Sequence, residues 1–337
     1  MQLSKDISLK KYNTFGIDVQ AKYFYSIETI EQLNTLLKSL INQPKFILGG
    51  GSNLLLTKDI NAHVIYINNK GIRVISENET HVNVCCAAGE EWHDFVLWTL
   101  NKGYGGIENL SLIPGKTGTA PIQNIGAYGV ELKDIFVSCE AIERETLKVK
   151  TFTKEDCNFG YRDSVFKNDC KDKYVITSVT LKLTKLNHTL NYSYGAIKQT
   201  LDNRQIVTPT INDISDAVIK IREDKLPNPN DIGNSGSFFK NPIISLHNYK
   251  KLKSEFLDIP SYPVNDSEVK VPAGWLIEKA GFKGLRLDNY GVHDKQALVL
   301  VNFGGASGQQ ISDLSKSIQE VIKKIFKIDL TAEVNII

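Results

Sequence analysis

A chain of 337 residues exceeds one ordinary domain and suffices for about two or three, each with its own core. Hydrophobic residues at 42% and charged residues at 23% mark a soluble globular protein, and a net charge of +2 from scattered basic residues argues against nucleic acid as a partner. Residues 1–16 lack the apolar core of a signal peptide, no window is apolar enough to span a bilayer, and Cys85, Cys86, Cys139, Cys157 and Cys170 form no CxxC pair or metal-like spacing, so a cytoplasmic protein with reduced thiols, no metal and no membrane partner is expected.

From Ser26 to Leu40, the residues Ile30, Leu33, Leu37 and Leu40 recur at helical spacing, and Lys45–Leu48 follows as a short strand. That strand runs straight into Gly49, Gly50, Gly51, Ser52 and Asn53. A dinucleotide-binding GxGxxG turn would need glycine where Leu54 stands and a helix beyond it, but Leu54, Leu55 and Leu56 continue an apolar run. The pattern predicts strand, glycine turn, strand. Val64–Ala88 then alternates β-rich segments (VIYI, IRVIS, HVNVCCAA) with polar turns, as in a sheet. Glu91–Lys102 puts Trp92, Phe95, Val96 and Leu100 on one helical face and ends at Gly103. Trp92 and Trp98 read as packing residues.

The stretch Gly105–Leu132, GGIENLSLIPGKTGTAPIQNIGAYGVEL, holds six glycines and two prolines without a run of charge. Small side chains there let a flat or phosphorylated ligand approach the backbone, where N–H dipoles favour anions; a plain glycine-rich connector has the same composition. Gly115, Lys116 and Thr117 resemble the end of a P-loop, but Leu110 occupies the required earlier glycine, so an ATPase is rejected. With Ile47–Leu56 as its partner, this stretch suggests one extended, phosphate-bearing ligand gripped by main chain from two sides.

Strands at Val137–Glu143 and Tyr174–Leu183 bracket Phe159–Phe166, in which Arg162 lies between aromatic and apolar residues and is expected to meet a carboxylate or a phosphate, a structural ion pair being the plainer alternative. Ile211–Arg222 is an amphipathic helix that stops before Lys225, and the Pro/Asn/Gly-rich stretch to Pro242 reads as a long loop. Within it Ser237, between Gly236 and Phe238–Phe239, is either a turn residue or a hydroxyl held in an apolar pocket; no GxSxG elbow makes it a nucleophile. Pro272–Gly281 predicts a short helix, Ala297–Asn302 a strand, and Ser307 with Gln310 a capping box for a helix to Phe326 carrying Ile311, Leu314, Ile318, Val321 and Ile325. A last strand, Leu330–Ile336, sets Glu333 opposite the apolar face, where either desolvation raises its pKa toward that of a proton donor or it is an ordinary solvent-facing glutamate.

The runs NTFGIDVQA, ILGGGSNLLL, ENLSLIPGKTGTAPIQNIGAYGVEL, GYRDSVFK, GNSGSFFKNP, AGWLIEKAGFKG, QALVLVN and TAEVNII, in this order, cover essentially the whole chain. Together they resemble the UDP-N-acetylenolpyruvoylglucosamine reductases, the flavoenzymes of peptidoglycan precursor synthesis, and NYSYGAIK with IQNIGAYGVEL is closer to that family's first type. The resemblance implies an α+β chain: an FAD-binding fold of the vanillyl-alcohol-oxidase type in two subdomains (1–67 and 68–186), a tyrosine-bearing insertion (187–207) and a C-terminal α+β substrate domain (208–337) whose last strand brings Glu333 to the site.

The resemblance further implies that Gly49, Gly50, Gly51, Ser52 and Asn53, with Ile113, Pro114, Gly115, Thr117, Gly118, Gln123, Asn124, Gly126, Ala127, Tyr128 and Gly129, hold FAD. Arg162, Ser237 and Glu333 carry the catalysis: Ser237 protonates the enol intermediate, Glu333 is the second acid, and Arg162 binds the substrate carboxylate and steadies the enolate with Tyr161 beside it. Tyr194 closes over the substrate nucleotide, and Lys225, Asn241 and Gln296 contact its nucleotide or sugar. NADPH reduces FAD and leaves before UDP-N-acetylglucosamine enolpyruvate enters, because both hydride partners need one flavin face. No histidine stands in the glycine turn to attach the flavin, so FAD is expected to be dissociable, and a monomer is expected. Four residues follow Glu333, fewer than the resemblance implies for this type, so a less covered outer edge of the site is expected.

Overall fold

In the computed structural model, which describes residues 3–337, the chain divides into two units: the chain up to Ile7 with Ala21–Gly50 and Ile60–Asp224, and Ser8–Gln20 with Gly51–Asp59 and Lys225–Ile337.

The first unit contains two larger sheets beside the two-stranded pair Gly126–Ala127 and Val130–Glu131. In one, Gln20–Ile27 and Lys45–Leu48 both run parallel to Ile60–Ile67, with Tyr25 and Ile47 each opposite Ile65. The helix Ile30–Ser39 buries Leu33, Leu36 and Leu37 against Tyr25, Ile27, Ile65 and Ile67. It starts later than the apolar spacing predicts, because Ser26 and Ile27 finish the strand, paired with Tyr66 and Ile67, and Thr29 Oγ1 caps the helix by accepting from the Gln32 amide at 3.2 Å.

The other sheet is antiparallel and five-stranded, in the order Val149–Thr153, Phe136–Glu143, Tyr174–Thr184, His81–Ala87, Ile72–Glu77. Its inner face packs on the helix Trp92–Asn101 through Trp92, Phe95, Val96 and Leu100. Gly103, at φ +72°, ends that helix in the left-handed conformation glycine adopts without strain. Trp92 is buried with its indole N–H donating to the Leu110 carbonyl at 3.0 Å, which makes it a strut beneath the glycine-rich stretch. The helix from Ile211 runs to Lys225, three residues beyond Arg222 where the sequence predicts its end. Lys225 closes its last turn instead of opening the loop, since the proline that stops the helix is Pro227.

In the second unit the strands Gly233–Ser237, Val299–Asn302, Tyr290–Val292 and Arg286–Leu287 form an antiparallel sheet. The expected long loop from Lys225 to Pro242 therefore contains a strand, which composition hid because its residues are GNSGS. Their pairing supplies what their propensity lacks. A second sheet joins Ile243–Ser245, Glu268–Lys270 and Tyr262–Pro263. The helix Gly308–Phe326 has the expected capping box, with the Gln310 amide donating to Ser307 Oγ at 3.2 Å and the Ser307 amide to Gln310 Oε1 at 2.8 Å. Its buried seam is Ile311, Leu314, Ile318, Ile322 and Phe326; Val321 and Ile325 lie one residue off it, and Ile325 is exposed. Each fully buried side chain of this size contributes roughly 1.5–3 kcal/mol.

The last strand differs from its prediction. Ala332 bridges Phe239 antiparallel, with the Glu333 amide still bonded to Phe238, but beyond Glu333 the chain changes partner, and Asn335–Ile336 pairs parallel with Leu54–Leu55. Periodicity saw one strand where two partners each take part of it.

Candidate active site

In the first unit the two glycine-rich segments pack backbone to backbone. A Cβ placed on Gly50 would lie 2.7 Å from Gly115 Cα and 3.0 Å from the Lys116 nitrogen, so only glycine permits this approach. The later segment is anchored from beneath: the Trp92 amide donates to the Gly115 carbonyl at 2.8 Å, Thr117 to Glu90 at 2.9 Å and Gly118 to Ala88 at 2.9 Å. Further on, Asn124 at φ +43° and Tyr128 at φ +50° are left-handed without being glycine. Asn124 sustains this through its side chain, which donates to the Gly160 carbonyl at 3.0 Å and to Glu131 at 3.1 Å and accepts from the Lys133 amide at 3.0 Å. Main chain bent in this way forms concave backbone of the kind that receives phosphates.

Arg162, itself at φ +53°, returns to the same loop. Its guanidinium donates to the carbonyls of Gly126 and, at 3.5 Å, Asn124, and stands 5.4 Å from the Tyr161 ring centre. The arginine is thus bound to the backbone of the glycine-rich loop. Gly126 is small because Arg162 is there: a Cβ would meet Arg162 Nη1 and Glu131 Cγ, each at 2.9 Å. Tyr194, 57% exposed, lies along Gly129, with ring carbons 3.7 Å from where a Cβ would be. The insertion that carries it is tied to the loop by Asn109, whose side-chain amide donates to both the Asn191 carbonyl at 2.7 Å and the Tyr128 carbonyl at 3.0 Å.

In the second unit Ser237 ends a bulged strand. Asn234 braces the bulge, donating to the carbonyls of Pro227 and Ile232 and accepting from the Gly236 amide at 2.9 Å, while Gly236 takes φ +67°. The hydroxyl-bearing residue is exposed and the rings behind it, Phe238 and Phe239, are buried. Ser237, read from the sequence as either a turn residue or a hydroxyl in an apolar pocket, is therefore a strand-end residue open to solvent and is not enclosed by the two rings that follow it. The Glu333 amide donates to the Phe238 carbonyl at 2.8 Å and the Lys240 amide to the Thr331 carbonyl at 2.9 Å, which sets the backbone of Glu333 opposite Phe238, the residue after Ser237. Asn53 joins them: its side-chain amide donates to the Glu333 carbonyl at 3.3 Å and its own carbonyl accepts from the Asn335 amide at 3.2 Å. The NTFG run braces the same turn, the Thr14 amide donating to the Gly51 carbonyl at 3.2 Å.

Asn241 and Gln296 both border the helix Ala273–Lys279: Asn241 Oδ1 accepts from the Ala273 amide at 2.9 Å, and a Cβ on Gly274 would meet Gln296 Oε1 at 3.2 Å. Lys225 is exposed.

Residues 228–337 match the UDP-N-acetylenolpyruvoylglucosamine reductase C-terminal domain and residues 21–148 match an FAD binding domain. The reductase of Flavobacterium johnsoniae is 56% identical over 337 residues, covering all of both chains. The chain belongs to the UDP-N-acetylenolpyruvoylglucosamine reductase family. A further member, from Pseudomonas putida, is 45% identical over all of this chain and 99% of its own. The crystal structure of the Thermus caldophilus enzyme, at 22% identity and a TM-score of 0.68 over all of this chain and 99% of that one, shares the fold. The expected α+β architecture with an FAD-binding part and a family-specific C-terminal part is borne out.

Two residues of this family member escaped the sequence reading. Lys116, set aside with the P-loop decoy, is buried beneath the loop. Arg222, named only as the last residue of the amphipathic helix, has a buried Nε with no hydrogen-bond partner; burial lowers its pKa, with Tyr128 opposing. His93 nearby accepts from the Leu112 amide at 2.9 Å through Nδ1, and burial chiefly lowers its pKa, with Arg222 adding to the effect. A cation at a helix's apolar edge is the signal that could have found Arg222.

Proposed function

We propose that the chain carries out its family's reaction, the NADPH-dependent reduction of UDP-N-acetylglucosamine enolpyruvate to UDP-N-acetylmuramate through dissociable FAD, with Arg162, Ser237 and Glu333 as its catalytic groups. The observation that supports this reading is the hydrogen bond from the Glu333 amide to the Phe238 carbonyl at 2.8 Å, which pairs the backbone of the proposed acid with that of the residue after Ser237. Membership of the family, at 56% identity across the whole chain, supplies the reaction that such a pair would serve.

The residues fit the cofactor: glycine backbones pressed together at Gly50 and Gly115, and left-handed turns at Asn124 and Tyr128, present main chain to an anionic and planar group. Gly49, Gly50, Gly51, Ser52 and Asn53 and the segment from Ile113 to Gly129, with Pro114, Thr117, Gly118, Gln123 and Ala127, would hold it. When bound, FAD supplies the hydride, gained from NADPH, that reaches the terminal carbon of the enolpyruvyl group.

Arg162 binds the substrate carboxylate and faces the negative charge that develops beside it, at about 10²–10³ in rate for one well-placed donor. Ser237 passes a proton to the adjacent carbon. An exposed serine is a weak acid, so substrate must cover it, and Glu333 relays or polarises the proton. Tyr161 flanks the guanidinium. Tyr194, Lys225, Asn241 and Gln296 hold the nucleotide and sugar. A cytoplasmic monomer fits these soluble substrates; among the described residues no helix is long and apolar enough to cross a membrane.

Anaerobic titration tests the reading. NADPH should bleach the reconstituted yellow protein, and UDP-N-acetylglucosamine enolpyruvate should restore the colour where UDP-N-acetylglucosamine does not. Recovery with neither, or with both, would reject it.

A further inference from the structure

The lysine of the discarded P-loop pattern, Lys116, is 2% exposed. Lysine is almost never buried so deeply without partners. Its ammonium donates to Asn68 Oδ1 at 2.8 Å and to the Gly89 carbonyl at 3.0 Å, stands 3.7 Å from the Glu91 carboxylate and lies 4.4 Å over the Tyr66 ring. Those partners come from the strand ending at Ile67, the turn after it and the entry to the helix Trp92–Asn101. The backbone of the same segment is fixed as well: Lys116 bridges Glu91, flanked by the bonds from Trp92 to Gly115 and from Thr117 to Glu90. Gly50 presses on it from the other side.

We propose that Lys116 is a positioning residue for FAD: its charged ammonium clamps Gly115–Thr117 in the conformation that receives the cofactor, and losing that charge loosens FAD. This rests on the reading of Ile113–Gly129 as an FAD-binding segment.

A neutral amine keeps two N–H groups, enough for Asn68 and Gly89, but gives up its attraction to Glu91 and to the face of Tyr66. Burial brings the Lys116 pKa down to about 8, with Glu91 and Glu90 pulling it up and Lys70 pushing it further down. Lys70 is itself 3.4 Å from Glu90. Cys86, whose thiol reaches Thr117 Oγ1 at 3.5 Å, is pushed up to about 12 by burial and stays protonated.

Charge at Lys116 therefore changes near pH 8, and two properties respond with opposite sign. Its folded pKa lies below the ordinary lysine value of 10.5, so the unfolded chain holds a proton the folded chain has released, and stability rises as pH climbs from about 8 to 10.5. FAD affinity should instead fall as pH rises through 8, because the clamping form is the protonated one. A purely structural lysine would produce the first trend alone.

The experiment titrates apoprotein with FAD between pH 6.5 and 9, following flavin fluorescence, in the wild type, K116R and K116M. Wild-type affinity should drop about tenfold from pH 7 to pH 9 if only the protonated form clamps. K116R should bind without that slope, and K116M should bind weakly and equally weakly throughout. A flat wild-type profile, or a wild-type slope retained in K116M, overturns the clamp. Should either variant fail to fold by circular dichroism, the wild-type series decides alone: affinity and apoprotein melting temperature must move in opposite directions above pH 8, and parallel movement refutes the proposal. Absence of FAD binding at every pH would instead overturn the FAD-binding reading, and the clamp with it.

Discussion

The Glu333 amide donates to the Phe238 carbonyl at 2.8 Å, so backbone pairing holds the acid's segment against the residue that follows Ser237. Replacing the carboxylate leaves that backbone bond in place. For Glu333→Gln the melting temperature should stay within the scatter of a surface substitution, about 0.5 kcal/mol, while reoxidation of reduced flavin by the enolpyruvyl substrate slows by about 10²–10³. Thermal melts beside anaerobic stopped-flow measure both; a normal reoxidation rate would remove Glu333 from the chemistry.

Gly50 and Gly115 set a second test. A methyl group at Gly50 would sit 2.7 Å from Gly115 Cα, and both neighbours are backbone that cannot swing away. Gly50→Ala should push the segments apart at a cost of about 1–3 kcal/mol, read as roughly 10–100-fold weaker FAD binding. Isothermal titration with FAD measures it, and unchanged affinity would mean the two segments do not grip one cofactor.

Arg162 is tied to the loop through Gly126, whose added Cβ would lie 2.9 Å from the guanidinium. Gly126→Ala should displace that group and reproduce part of the defect of Arg162→Lys, which loses the planar fork. Both should raise the KM for the enolpyruvyl substrate more than the KM for NADPH in steady-state assays. Equal rises would show that Arg162 serves the flavin and not the substrate carboxylate.

Tyr194 is 57% exposed and supported by Gly129. Tyr194→Ala should leave stability within about 0.5 kcal/mol and weaken the UDP-bearing substrate while leaving flavin reduction by NADPH unchanged. Slowed flavin reduction with normal substrate affinity would contradict a role at the nucleotide.

The sequence made the glycine segments legible because tight backbone approach leaves composition as its trace: Gly49–Gly51 and Gly115–Gly118 could be read as partners before any coordinates. Periodicity likewise found the helix from Gly308 and the strand Lys45–Leu48. It failed where pairing overrides propensity. Gly233–Ser237 looks like a loop and is a strand because Val299–Asn302 pairs with it, and Leu330–Ile336 looks like one strand but changes partner after Glu333. Arg162 was legible as an arginine needing an acceptor, but that backbone carbonyls of Asn124 and Gly126 take part lies in no local pattern. Lys116 was hidden by the motif it mimics, since its partners Asn68 and Gly89 are distant in sequence.

The most direct test of the account separates the two half-reactions in Ser237→Ala. Ser237 is exposed at the end of its strand, so the change should not disturb folding. By anaerobic stopped-flow, reduction of the bound flavin by NADPH should proceed at nearly the wild-type rate, and reoxidation by UDP-N-acetylglucosamine enolpyruvate should be about 10²–10⁴ slower, the usual worth of a positioned proton donor. Equal slowing of both half-reactions, or reoxidation at the wild-type rate, would contradict it.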